Sequence, residues 1–272
     1  MGVLAGVTAP APRFRPWPSL GCPPATTTLV ARPAGADGAT SNDRDVPVTA
    51  DTGLATVELL GALAYGQLRS FEVTARAIRH APEARVADQL AQFAAREFAG
   101  YAALRDHLAE RTDLATAVMD RQKPQFDAYF DHAPIHDWAS ACTFFTFGLP
   151  IAADFVRAIA PALDPETGIV VVGALADRGS FEAFAMQHLA AELTDDAARE
   201  RARQTVADVL GRALTQYQGV AGNTDALKVL LAANAAEEGV SGEARVKQLA
   251  ITVLEGHRRR VIELGLEDLS LL

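Results

Sequence analysis

Two cysteines in 272 residues, Cys22 and Cys142, are too few for a disulfide framework, and they lack the spacing of a metal-binding pair. A reducing compartment suits such a chain, so a cytoplasmic location is expected. No run of ~18 uninterrupted apolar residues occurs, which argues against a transmembrane helix. Arg13 and Arg15 stand between prolines with no long apolar segment after them, a poor signal peptide. Gly-rich phosphate loops and a Gly-x-Ser-x-Gly nucleophile elbow are also absent, which removes the common nucleotide-binding and serine-hydrolase classes. Positive charge is in deficit. The net charge is -9, so phosphate backbones repel the chain and broad nucleic-acid binding is disfavoured. The single compact basic run, His257-Arg258-Arg259-Arg260, is expected to complete the last helix, where cations suit the helix dipole.

Aromatic residues are scarce at 7%, yet 49% of the chain is apolar, enough for a substantial core. Ala, Leu, Glu and Arg dominate, and these lose little side-chain freedom in a helix. Residues 1–50 differ: they hold eight of the fourteen prolines and many Gly, Ala and Thr. That segment buries too little to offset its ordering entropy and is expected to be a disordered tail, with residues 51–272 forming the folded domain.

Apolar residues then recur every three or four positions, the mark of helices with one buried face. Such stripes run through Leu60, Ala64, Gln67, Phe71 and Thr74, and through Val86, Leu90, Phe93, Glu97, Tyr101, Leu104 and Leu108. Helices are expected over about 54–80, 83–110, 136–160, 165–193, 195–220 and 241–264, with short ones at 114–121 and 224–233. A loop is expected through Pro124. The stretch around Phe144, Phe145, Phe147 and Ile151 is apolar all round and should be the central helix, kinked by Pro150. Ile169-Val-Val-Val172 has strand propensity but no second strand to pair with, so helix is expected there too. Long helices with short connections make an antiparallel all-α bundle.

Bundles build sites from polar side chains that project inward. Gln67, Glu97, Asp154 and Asp177 each lie on an apolar stripe of a different long helix. Converging buried carboxylates repel one another unless a cation sits between them, so Glu97, Asp154 and Asp177 are candidate metal ligands. The alternatives are pairing of Glu97 with Arg69 or Arg105, and of Asp154 with Arg157 at the surface. Carboxylate-bridged di-iron bundles add a Glu-x-x-His pair on each of two helices. No Glu in this chain has His three residues later; Gly100 follows Glu97 and Ser180 follows Asp177 at that spacing. His132 and His136, with Asp131 and Asp137, are better read as the cap of the following helix than as a loop site. His80, His107 and His188 are expected at helix ends or in the core.

The segments Ala64-Tyr65-Gly66-Gln67-Leu68, Arg96-Glu97-Phe98-Ala99-Gly100-Tyr101, Gly148-Leu149-Pro150-Ile151-Ala152-Ala153-Asp154-Phe155, Leu163-Asp164-Pro165-Glu166-Thr167 and Leu175-Ala176-Asp177-Arg178-Gly179-Ser180 stand in that order. They resemble an actinobacterial family of ferritin-like proteins related to the tRNA 2-methylthio-isopentenyladenosine hydroxylase. The resemblance covers about residues 54–262 and implies a ferritin-like bundle with additional C-terminal helices. In that family's pattern, Glu stands at the position of Gln67, and His at those of Gly100 and Ser180, while Glu97, Asp154 and Asp177 match. The departures remove both nitrogen ligands and turn one carboxylate into an amide. The expectation is a degenerate di-iron site in a metal-free scaffold or partner-binding bundle, whose partner is an unidentified protein or small molecule. The alternative is a non-haem iron hydroxylase acting on a modified tRNA base or a small apolar substrate. A homodimer suits an acidic bundle of this size.

Overall fold

A computed structural model describes residues 48–175, 178–223, 226–235 and 242–267. Residues 1–47 of the expected tail and Asp177 therefore lie outside the described residues, while residues 48–50 open the first helix. Ten α-helices and no strand occur among the described residues: α1 Val48–Ala77, α2 Ala84–Arg111, α3 Ala115–Phe130, α4 Trp138–Phe147, α5 Leu149–Ile159, α6 Pro165–Gly173, α7 Arg178–Glu192, α8 Asp196–Asn223, α9 Ala226–Ala235 and α10 Gly242–Glu263. The all-α expectation holds, including helix at Ile169–Val172, which falls within α6.

Helix boundaries follow local chemistry. Asp137 caps α4: its carboxylate accepts from the Ser140 amide at 2.7 Å, while the Ser140 hydroxyl accepts from the Asp137 amide at 3.1 Å. His132 bonds the Ala128 carbonyl at the end of α3. Asp164 caps α6 through the Thr167 amide at 3.0 Å, with Pro165 as the first helical residue, where its missing N–H costs nothing.

Two expected boundaries are corrected. Pro124 lies inside α3, not in a loop. It and Asp120, whose carbonyl loses its helical donor, are exposed, so water replaces the bond. Burial of Val118, Gln122, Tyr129 and Phe130 then outweighs the defect. The segment expected as one helix over 165–193 is two, α6 and α7.

α1 packs against α2, α3 and α9; α4 packs against α7 and α8; α10 packs against α5 and α9. The stretch Trp138–Ala162 has the length and hydropathy of a membrane span, but 72% of its most apolar window is buried inside the bundle. It is the central element that its composition predicts, broken at Gly148, with Pro150 in the first turn of α5.

The core forms two apolar clusters. One is rich in rings and holds Leu90, Phe144, Phe145, Phe147, Phe181 and Leu189. The other is aliphatic and holds Leu60, Leu104, Leu108, Val156, Ile159 and Leu163.

Candidate functional site

Along α1, α2 and α7 a buried polar layer falls where the two clusters meet. Gln67 lies between Ala64 of the aliphatic cluster and Val73 of the ring-rich one. Glu97 lies likewise between Leu104 and Leu90, and Arg178 opens α7 just before Phe181. The side chains of Arg178 and Glu97 are only 3% and 6% exposed.

The three groups satisfy one another. Arg178 Nη1 lies 2.8 Å from Glu97 Oε1. Arg178 Nη2 donates to Glu97 Oε2 and to Gln67 Oε1, each at 3.1 Å. Gln67 Nε2 donates back to Glu97 Oε2 at 3.1 Å. Ser70 adds a hydrogen bond to the same carboxylate. Burial pushes the Glu97 carboxyl above the usual carboxylate range, and Arg178 and Ser70 pull against it. Nη1 sits close to its carboxylate oxygen but off its hydrogen-bond axis, and it has no aligned acceptor.

An amide suits position 67 because it accepts from the cation and donates to the anion. A carboxylate there would give one guanidinium two negative charges and remove the donor to Glu97. The expected partners of Glu97 are elsewhere: Arg69 binds Asp127 and Asp131, and Arg105 binds Asp106.

Asp154 belongs to a second network. Arg260 of α10 donates from Nη2 to Asp154 Oδ2 at 2.7 Å and from Nε to Glu182 Oε1 at 2.5 Å. Arg157 reaches Asp154 Oδ1 at 2.9 Å. Among the described residues Glu97 and Asp154 thus bind different arginines and share no partner, and Asp177 lies outside the described residues. The basic run is not simply a helix ending. Arg258 and Arg259 are exposed, whereas His257 and Arg260 turn inward.

A di-iron centre does not fit these residues. The guanidinium of Arg178 already supplies the positive charge beside Glu97, at ion-pair distance. No imidazole can stand at position 100: a Cβ on Gly100 would lie 2.6 Å from the Ala174 carbonyl oxygen and 3.2 Å from Gln67 Nε2. Ser180 is exposed. Gln67 therefore has an electrostatic counterpart and Gly100 a steric one.

A third cluster gathers His107, Glu110 and Glu166, with ligand-type atoms within 4.8 Å of one another. Both imidazole nitrogens are engaged: Nδ1 faces Glu110 at 3.3 Å, and Nε2 faces Thr167 Oγ1 at 3.0 Å and Arg111 Nε at 3.1 Å. Arg111 also pairs with Asp164 and Glu166, so the cation in this cluster is again an arginine. His107, expected at a helix end, ties the end of α2 to the start of α6.

Two spaces adjoin the polar layer. A cavity of about 140 Å³ lies among α1, α3, α5, α8 and α10, lined by Leu63, Phe126, Tyr129, Phe155, Ala213 and Val253 among others. A groove of about 350 Å³ lies outside it, against Phe93, Arg96, Gly100 and Ala174. Gln67 and Arg178 line both, so the network is the partition between them. Sequence reading found Gln67 and Glu97 but missed Arg178, although its place just before Phe181 on an apolar stripe was the available signal.

The family model described as a ferritin-like domain of actinomycetes matches residues 52–234. No curated protein matches the chain in a direct sequence comparison.

Proposed function

The chain belongs to the ferritin-like domain family of actinomycetes, and from that premise we propose that it is a metal-free binding bundle in which an internal arginine holds the charge position of a di-iron centre. The observation that carries this reading is the buried Arg178–Glu97 ion pair, closed by Gln67. A fixed guanidinium balances the carboxylate without an exchangeable ion, and Gly100 leaves no space for a nitrogen ligand. Such a centre performs no oxygen chemistry. It rigidifies the middle of the bundle and leaves the adjoining spaces for recognition.

The alternative is an oxygen-activating hydroxylase acting on a modified tRNA base or a small apolar substrate. It has the apolar cavity beside the polar layer in its favour. Against it stand the ligand set and, for tRNA, the net charge of -9. Metal analysis of the full chain expressed with abundant iron separates the two. Sub-stoichiometric iron is expected, and about two irons per chain would overturn the metal-free reading.

A further inference from the structure

We infer that the outer face of α10 is an association surface, and that its partner is a second copy of this chain in an antiparallel, two-fold arrangement. α10 turns two faces in opposite directions. Leu249, Val253, Gly256 and Arg260 are buried on the side that meets α5 and α9. Ile251, Glu255, Arg258 and Ile262 stand about 180° away around the same helix, and all four are exposed. Ile251 and Ile262 keep 48% and 47% of their surface open, and Leu254 beside them 39%. Apolar side chains scattered singly over a surface need no explanation, but these three share one side of one helix. Positions 251, 255, 258 and 262 are spaced four, three and four, the spacing of a seam between two packed helices.

Charge selects the partner. A two-fold axis crossing α10 midway between Gly256 and His257 sets Ile251 opposite Ile262 of the second copy, and Glu255 opposite its Arg258. Symmetry makes each contact twice. Leu254 then meets the stem of Arg259, which can cover it while the guanidinium stays in water. Neither Glu255 nor Arg258 has an ion-pair partner among the described residues, so both are available. Parallel pairing would oppose Glu255 to Glu255 and Arg258 to Arg258, and like charges exclude it. The isoleucines alone would accept either direction; the central charges fix one.

The seam from Ile251 to Ile262 is about 16 Å long. That is short of a standard interface, so the dimer should be weak, with a Kd of about 1–100 μM. The inference stands independently of the metal-free reading: these residues lie on α10, and the Arg178–Glu97 layer on α1, α2 and α7.

The test is sedimentation equilibrium of the full chain from about 1 to about 500 μM, across which monomer should give way to dimer. Glu255→Arg alone, or Arg258→Glu alone, sets like charges against each other twice and should weaken the dimer at least about tenfold. The double variant restores both pairs in the reverse sense and should return to within about threefold of the unchanged chain. The two single variants mixed in equal amounts should form a heterodimer, because one copy offers two arginines and the other two glutamates. Ile251→Ser with Ile262→Ser should abolish association. All these positions are exposed, so each variant should fold, with Tm as the check. A monomer at every concentration, a dimer that the single variants or the serine variant leave intact, a double variant without rescue, or a mixture that stays monomeric would each overturn the inference.

Discussion

The two inward-facing arginine networks solve one problem in different ways. Arg178 meets a single carboxylate, Glu97, and an amide, Gln67, all of them buried. Arg260 meets two carboxylates, and the second reaches further towards water: Asp154 is 10% exposed and Glu182 20%. A third, half-exposed guanidinium, Arg157, completes that site from outside. The first network therefore balances its charge internally, while the second leaves part of the balance to solvent. They also differ in origin. Both charged partners of the first lie within the family-matched residues, whereas the second takes its cation from α10, beyond them. An acid on an apolar stripe thus announces a buried counter-charge, but not what that charge is.

Removing each cation measures the difference. Arg178→Ala leaves a buried carboxylate and amide without their partner. It should cost about 3–5 kcal/mol in denaturant unfolding. Replacing Arg178, Glu97 and Gln67 together by Met, Leu and Leu should recover most of that loss, because apolar groups of similar size remove the desolvation cost. A single variant that loses under about 1 kcal/mol would show that the layer is wetter than its burial implies. Arg260→Ala should cost less, about 2–3 kcal/mol, because Asp154 and Glu182 can turn to water. Equal costs would erase the distinction between the networks.

Acid sharpens the comparison on the Arg260 side. His257 packs against Phe147 with ring centroids 5.3 Å apart, and its Nδ1 has no partner. Burial first, and the neighbouring Arg260 second, lower its pKa from the ordinary 6.5 to about 4. The native state therefore holds this imidazole neutral, while the unfolded chain takes up a proton below about pH 6.5. Protons favour the unfolded chain between those values, so stability falls as the pH drops through them and levels off below the folded value. Between about pH 7 and about pH 5 the loss should be about 1–2 kcal/mol, and His257→Phe should flatten that slope. An unchanged slope in the variant would assign the acid sensitivity to other groups.

The periodicity of three and four residues carried the fold because burial in a bundle is a one-dimensional pattern along each helix. Glu97, Leu104 and Leu108 on α2 could be placed inward from their spacing alone. Pro124 misled because propensity was weighed without the packing of Tyr129 and Phe130 against the other helices. The acid half of the site was legible for the same reason as the core. Its cation half was not: Arg178 follows Glu97 by 81 positions and Arg260 follows Asp154 by 106. Nothing in local spacing distinguishes an acid that awaits metal from one that awaits a guanidinium on another helix. The missing histidines spoke only against iron, and at Gly100 the end of α6 occupies the space an imidazole would need.

The smallest effect belongs to Arg157. Its contact with Asp154 spans three residues of one helix, and its side chain is 47% exposed. Exposed pairs of this kind give up side-chain entropy for little Coulomb energy. Asp154 keeps its 2.7 Å bond to Arg260 when Arg157 is cut back, so no buried charge is stranded. Arg157→Ala should therefore change unfolding free energy by under about 0.5 kcal/mol, and by less still in high salt. A loss comparable to that of Arg260→Ala would mean that Asp154 is held from the surface, and that the second network is a solvated ion pair instead of an inner one.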